Sequence, residues 1–289
     1  ARTPQGRAAR RGPMLKLDDA TGAAQAGAAL DEWLASCGAA CDTARKWKPV
    51  ASLEGGAQVF AGFFPGVRWL SMMWVVEIDE DERGTMAAAL KDMSLDVTGK
   101  HSAAWDKTFQ GQEKVGTMNK EGKRMSVKRN SGKRNSVKRN SDTERVGALP
   151  DACEGGATLT TRSFSAGPLA DRDMLYLMAS ADLESPEGPC TVYGYPSVHA
   201  KYAEEAWGMS VPVSRRVRAR NLWPTCDRVT LLPGGKRLRV EHLMTTDIGG
   251  WICPPVFNNV FYRALLDVYK TEASKMPGHV KDVASTMRT

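Results

Sequence analysis

Apolar residues recur along this chain with two periods, and the places where the period changes mark the elements. From Asp18 onward Ala28, Leu30, Trp33, Leu34 and Cys37 offer one buried helix face, spaced mostly at three- and four-residue steps. Residues 47–66 read as strand, turn and strand, punctuated by Gly55-Gly56 and Pro65-Gly66. The most apolar run, residues 67–78, predicts a long buried strand. It is too short and too charged to cross a bilayer, which takes about 20 apolar residues. The acidic turn over 79–83 suits a helix N-terminus, and residues 86–93 continue as a short helix. Residues 105–117 are predicted as a further strand.

Order resumes near Gly147. Strands are predicted over 158–165, 174–180, 192–198, 215–221, 227–232 and 237–245, with a turn over 166–173. The strongest helix covers 254–276. There Phe257, Val260, Phe261, Ala264, Leu265 and Val268 recur at helical steps, and Pro277-Gly278 is expected to end it. Helix, strands, short helix, many strands and a long terminal helix make an α+β fold, with helices packed on an antiparallel sheet.

Two segments fall outside this pattern. Residues 1–16 carry Arg2, Arg7, Arg10, Arg11 and Lys16 with no apolar period, and are expected to form a disordered tail. Residues 126–141 read SVKRN-SGKRN-SVKRN-S. A five-residue repeat fits neither the strand period of 2 nor the helix period of 3.6, so a disordered loop is expected. The loop also carries the net charge. Residues 117–145 hold ten basic and three acidic residues, which is +7, the value for the whole chain. A neutral domain with a basic insertion is not a nucleic-acid binder, which interleaves basic and aromatic residues on a folded face.

Candidate chemistry is sparse. The six cysteines form no C-x-x-C and have no histidine at metal-ligand spacing, so neither a metal nor a cofactor is expected. They fit a reducing compartment. His101, His199, His242 and His279 are scattered, and no catalytic set is visible. No apolar signal segment lies near Ala1; the first residue is not Met, which is compatible with a longer precursor. Ser126, Ser131, Ser136 and Ser141 each follow Lys-Arg-x, the pattern a basophilic kinase accepts. Four phosphates would add about −6 to −8 and cancel the loop's charge. The same loop suits an anionic membrane surface. A solvated repeat with no role fits it equally well.

Four motifs narrow the fold. Asp247-Ile248-Gly249-Gly250-Trp251-Ile252-Cys253-Pro254 leads from the last strand into the terminal helix, followed by Asn258-Asn259. Arg172-Asp173 heads an apolar strand, Val217-Arg218-Ala219 forms another, and Trp105-Asp106 precedes the middle strands. In this order they resemble the START (StAR-related lipid-transfer) family of the helix-grip, Bet v 1-like superfamily, over about residues 25–277 apart from the basic loop. The resemblance implies a curved antiparallel sheet gripping the C-terminal helix around a hydrophobic cavity that holds one lipid. Trp105, Arg172, Asp173, Arg218, Asp247, Gly250 and Trp251 then have structural roles, with Trp251 expected to anchor the turn by burial. Where sterol-binding relatives carry an acidic residue and an Arg, this chain has Arg162 and Met178, so that polar pair is not expected.

The expected division is a tail at 1–16, a lipid-binding domain at 17–277 with the insertion 117–145, and a C-terminal tail at 278–289. The expected cavity residues are Met174, Tyr176 and Met178 on one strand, Val240, His242 and Met244 on another, and Phe257, Phe261 and Leu265 on the terminal helix. The same alternation also describes a packed core, and a satisfied core histidine is the simpler reading of His242. The expected function is non-enzymatic binding of a phospholipid, sterol or similar lipid, for transfer or sensing by a cytoplasmic, membrane-peripheral protein. Two alternatives stand beside it: an adaptor that binds a partner through the basic loop, and an enzyme of the helix-grip superfamily.

Overall fold

The computed structural model describes residues 23–81, 83–106, 108–118, 156–165 and 169–287. The tail 1–16 and the basic repeat with its four serines lie outside the described residues. The elements are α1 (Ala23–Ala44), β1 (Pro49–Ser52), β2 (Gln58–Gly62), β3 (Ser71–Asp79), α2 (Thr85–Ser94), α3 (Lys100–Trp105), β4 (Phe109–Met118) and β5 (Ala157–Phe164). There follow β6 (Arg172–Ser185), β7 (Gly188–Gly194), α4 (Ala200–Trp207), β8 (Val217–Arg218), β9 (Arg220–Asn221), β10 (Cys226–Leu231) and β11 (Arg237–Asp247). The chain ends in α5 (Pro254–Val256), a π-type turn (Phe257–Phe261) and α6 (Tyr262–Met287), which follow one another without a break.

Nine strands pair antiparallel in the order β1-β2-β3-β11-β10-β7-β6-β5-β4; β8 adds in parallel to β6 and β9 pairs antiparallel with β11. Side chains alternate along each strand, so the sheet has two faces. Met72, Trp74 and Val76 of β3 and Leu238 and Val240 of β11 pack with Tyr269, Ala273, Met276 and Val280 of α6. Their neighbours Met73, Val75 and Leu243 face the other way, with Leu30, Trp33, Leu34, Cys37 and Cys41 of α1. Leu30, Trp33, Leu34 and Cys37 of the expected helix face are therefore buried. Each such large side chain contributes about 1.5–3 kcal/mol by leaving water. Gly194 sets how closely α1 approaches: a Cβ there would lie 2.4 Å from Leu34 and 2.6 Å from Trp33.

The acidic turn before α2 does what its charge predicts. Glu80 accepts backbone N–H bonds from Met86 (3.0 Å) and Ala87 (2.8 Å), and Asp81 accepts one from Thr85 (2.9 Å). These satisfy donors that a helix start leaves open.

Several boundaries differ from expectation. The stretch 105–117 is not one strand: Trp105 closes α3, whose start is held by Asp96 accepting from the N–H groups of Gly99 (3.0 Å) and His101 (2.8 Å). The insertion begins later than 117, because Thr117 and Met118 still pair with β5. Residues 215–221 split into two short strands around the buried Ala219. Helix α4 has no counterpart in the predicted elements. The largest difference is at the C-terminus. Helix α6 runs through Pro277 to Met287, so residues 278–287 are helix and not tail. An internal proline costs about 3 kcal/mol. Val280, Val283 and Ala284 extend the buried face beyond it, in the cluster that holds Ala89 and Leu90 of α2. Among the described residues no helix is long and apolar enough to cross a membrane.

Candidate functional site

The register of the sheet lines up a polar row on the face toward α6. His242 of β11 lies opposite Trp74 of β3 on one side and Asp227 of β10 on the other. His242 Nδ1 is 2.6 Å from Asp227 Oδ1. The other carboxylate oxygen accepts from the Tyr195 hydroxyl and from the Ser94 hydroxyl (3.3 Å). The Trp74 ring stacks on His242 with centroids 5.3 Å apart and planes at 24°. Helix α6 closes the row from above: Glu272 accepts from Trp74 Nε1 at 3.2 Å, and the Tyr269 ring lies 5.8 Å from His242.

A second polar group lies toward β4 and β5. Arg162 donates to Asp106 at 2.5 Å and sits 5.4 Å over the Phe109 ring. Tyr176 donates to Gln112 at 3.2 Å. Tyr176 and Tyr195 meet edge to face at 6.2 Å, which joins the two groups.

Burial and charge set the protonation of this cluster. Burial alone would push the His242 imidazole down, but the charge and hydrogen bond of Asp227 outweigh it and hold the imidazole above its ordinary value. Burial pushes the Glu272 carboxyl up, against the opposing pull of His242 and the Trp74 hydrogen bond. Burial likewise raises the Tyr269, Tyr195 and Tyr176 hydroxyls. Burial disfavours the charged Arg162, but Tyr176 and Asp106 keep it cationic. The Tyr269 hydroxyl is different from the rest. Its residue is 1% exposed, and the hydroxyl has no hydrogen-bond partner among the described residues. A buried hydroxyl left in this state costs about 1–3 kcal/mol.

The nine expected cavity residues are distributed around this cluster. Met174, Tyr176 and Met178 pack together with Ala219 and Tyr195. Val240 and Met244 lie with α6, and Leu265 joins that group to Phe257 and Phe261. His242 sits in the polar row. The pattern that located His242 did not locate its partners. Asp227, Tyr195, Trp74 and Glu272 had no expected role, and Asp106 and Arg162 entered only as motif positions, not as a pair. One signal was available: Tyr262, Leu265, Tyr269, Glu272 and Met276 recur at helical steps, which puts an acid on the apolar stripe of α6. A separate cavity of about 510 Å³ lies between α3 and α6, with Asp106, Ser274, Lys275 and His279 in its wall, and none of the nine lines it. No cluster of metal-ligating side chains occurs among the described residues.

The motif residues have varied roles. Arg218 pairs with Asp173 at 3.0 Å, and Asp247 with Arg220 at 2.5 Å. Arg172 donates to the backbone carbonyls of Ile248 (2.8 Å) and Ala170 and holds no carboxylate among the described residues. Gly249 and Gly250 both have positive φ, and a Cβ at Gly249 would lie 2.3 Å from the Arg218 carbonyl oxygen. Trp251 corrects expectation. It is 82% exposed and anchors nothing by burial; Ile248, Ile252 and Phe257 form the buried cluster at this turn instead.

No family model and no curated protein matches the sequence. Solved structures do match. Human STARD10 is 17% identical, with 86% of this chain and 81% of that one covered and a TM-score of 0.49. Human StAR-related lipid transfer protein 5 is 13% identical, with 90% and 98% covered and a TM-score of 0.49. The STAR-related lipid transfer protein from Xanthomonas axonopodis is 13% identical, with 81% and 98% covered and a TM-score of 0.50. The fold is that of a START domain. Helix α6 is the C-terminal helix of this fold, and the polar cluster lies between it and the sheet. At this identity the likeness extends to the fold alone.

Proposed function

We propose that this protein binds one lipid between the inner face of its sheet and α6, without chemistry of its own, for transfer or sensing at a membrane. The observation that carries the reading is the mixed character of that interior: methionine and aliphatic side chains surround a polar cluster in which one buried hydroxyl lacks a partner. Met72, Met174, Met178, Met244 and Met276 give adaptable walls for a flexible chain. Helix α6 lies directly on the sheet through Tyr269, Ala273 and Met276, so a lipid enters when this helix moves outward.

Membrane contact has its own support. Trp251 and Val260 are exposed at 82% and 66%, and Val256, Val260 and Arg263 follow at helical spacing with exposed side chains. An aromatic and aliphatic patch beside a basic residue suits an anionic interface. The basic repeat would strengthen docking, and phosphorylation of Ser126, Ser131, Ser136 and Ser141 would weaken it. The test is native mass spectrometry of protein incubated with mixed-lipid vesicles, followed by extraction. One added lipid mass per chain is expected. Protein that stays empty with every lipid offered overturns the proposal.

A further inference from the structure

We infer that the lipid is uncharged, bears a hydroxyl or carbonyl group, and places that group against the Tyr269 hydroxyl. This rests on the reading that a lipid occupies the interior. The two cations are each engaged: Arg162 with Asp106 at 2.5 Å, and His242 with Asp227 at 2.6 Å. Glu272 is a third carboxyl in the same space, bonded to Trp74. Among the described residues of this cluster, a phosphate would find three acidic side chains and two cations that already hold carboxylates. Burying a charge without a partner is far costlier than burying a neutral group. A lipid amine fares little better, since burial favours the neutral form of Glu272 and the other two carboxylates already hold cations.

The open valence is neutral. The Tyr269 hydroxyl is buried, has no partner among the described residues and can both donate and accept. It projects from the middle of α6 beside His242, with Val76, Val240 and Met276 in the surrounding cluster. A ligand hydroxyl or carbonyl would satisfy it, while hydrocarbon would meet the apolar walls. Because Tyr269 sits on the helix that must move, ligand recognition and helix closure become one event.

The test compares uptake from vesicles of four lipids: diacylglycerol, phosphatidic acid and phosphatidylcholine with identical acyl chains, and cholesterol. Wild type and Tyr269→Phe are measured in parallel. Uptake of diacylglycerol, cholesterol or both is expected, with little of either phospholipid. Tyr269→Phe should weaken the neutral uptake about three- to tenfold, the worth of one hydrogen bond. Preferential uptake of phosphatidic acid or phosphatidylcholine would overturn this inference and leave lipid binding standing. Equal uptake by wild type and Tyr269→Phe, or an equal loss for all lipids, would remove Tyr269 as the headgroup contact. Protein that takes up none of the four, but does bind another lipid in the mixed panel, overturns the ligand class. Failure with every lipid overturns the function itself.

Discussion

The two faces of the sheet bury charge in opposite ways. Under α1, Arg228 is 1% exposed, and each of its nitrogens is engaged. Nε and Nη2 hold the Glu241 carboxylate at 2.5 and 2.9 Å, and Nη1 reaches the Gly38 carbonyl at 2.9 Å and Asp42 at 2.8 Å. Arg45 adds a contact to Glu241 at 3.1 Å. Burial opposes the charge on Arg228, but Glu241 holds the guanidinium well above its ordinary value. Under α6, the His242–Asp227 and Arg162–Asp106 pairs are accompanied by a carboxyl pushed toward its neutral form and by an unpartnered hydroxyl. The comparison separates an arginine whose every nitrogen is met from a cluster in which the Tyr269 hydroxyl is unmet among the described residues.

The largest effect should come from the closed face. Arg228→Met leaves Glu241 buried without its main partner and should cost about 3–5 kcal/mol in denaturant unfolding. Lipid uptake by the folded fraction should not change. A loss under about 1 kcal/mol would erase the distinction between the faces. On the open face, Tyr269→Phe should leave ligand-free protein as stable as wild type, or stabilise it by about 1 kcal/mol, because a dehydrated hydroxyl is removed. Opposite signs at two equally buried positions would be the sharpest form of the comparison.

A pH series gives a smaller effect. His242 titrates above its ordinary 6.5 in the folded protein, so its contribution is complete below that pH and is lost as pH rises through the folded value. Glu272 acts in the same direction. Its raised carboxyl makes ionisation costlier when folded, so stability falls as pH climbs from the ordinary 4.5 through the raised value. His242→Gln and Glu272→Gln should each flatten part of the decline in unfolding free energy; an unchanged slope in both would show that the cluster does not couple to folding. The smallest stability effect belongs to the exposed turn. Trp251→Ala should stay within about 0.5 kcal/mol of wild type, yet reduce co-sedimentation with anionic vesicles. Unchanged sedimentation would remove this turn from membrane contact.

Local pattern made much of this architecture legible. The buried face of α1, the acidic start of α2 and the alternation on β6 and β11 follow from period and charge; the stripe expected on the terminal helix does not hold, since Val260, Ala264 and Val268 are exposed and Tyr269, Ala273 and Met276 are buried in their place. Elements whose ends depend on distant packing were less so. Helix α6 continues past Pro277 because Val280 and Val283 find α2, a contact nearly 200 residues away in sequence. Trp251 looked buried because glycines and apolar residues surround it, but Ile248 and Ile252 fill that role. The candidate site was the least legible part. Asp227 and Glu272 gain meaning only when register and helix placement bring them to His242 and Trp74. A single strand reveals which side chains share a face, but not which residues stand opposite them.

Hydrogen–deuterium exchange on protein loaded from neutral-lipid vesicles, set against empty protein, tests the central claim most directly. The account predicts added protection in α6 and in β10 and β11, with none in α1, because the ligand closes the open face and leaves the saturated one untouched. Protection centred on α1, or a bound lipid that leaves α6 unprotected, would contradict it.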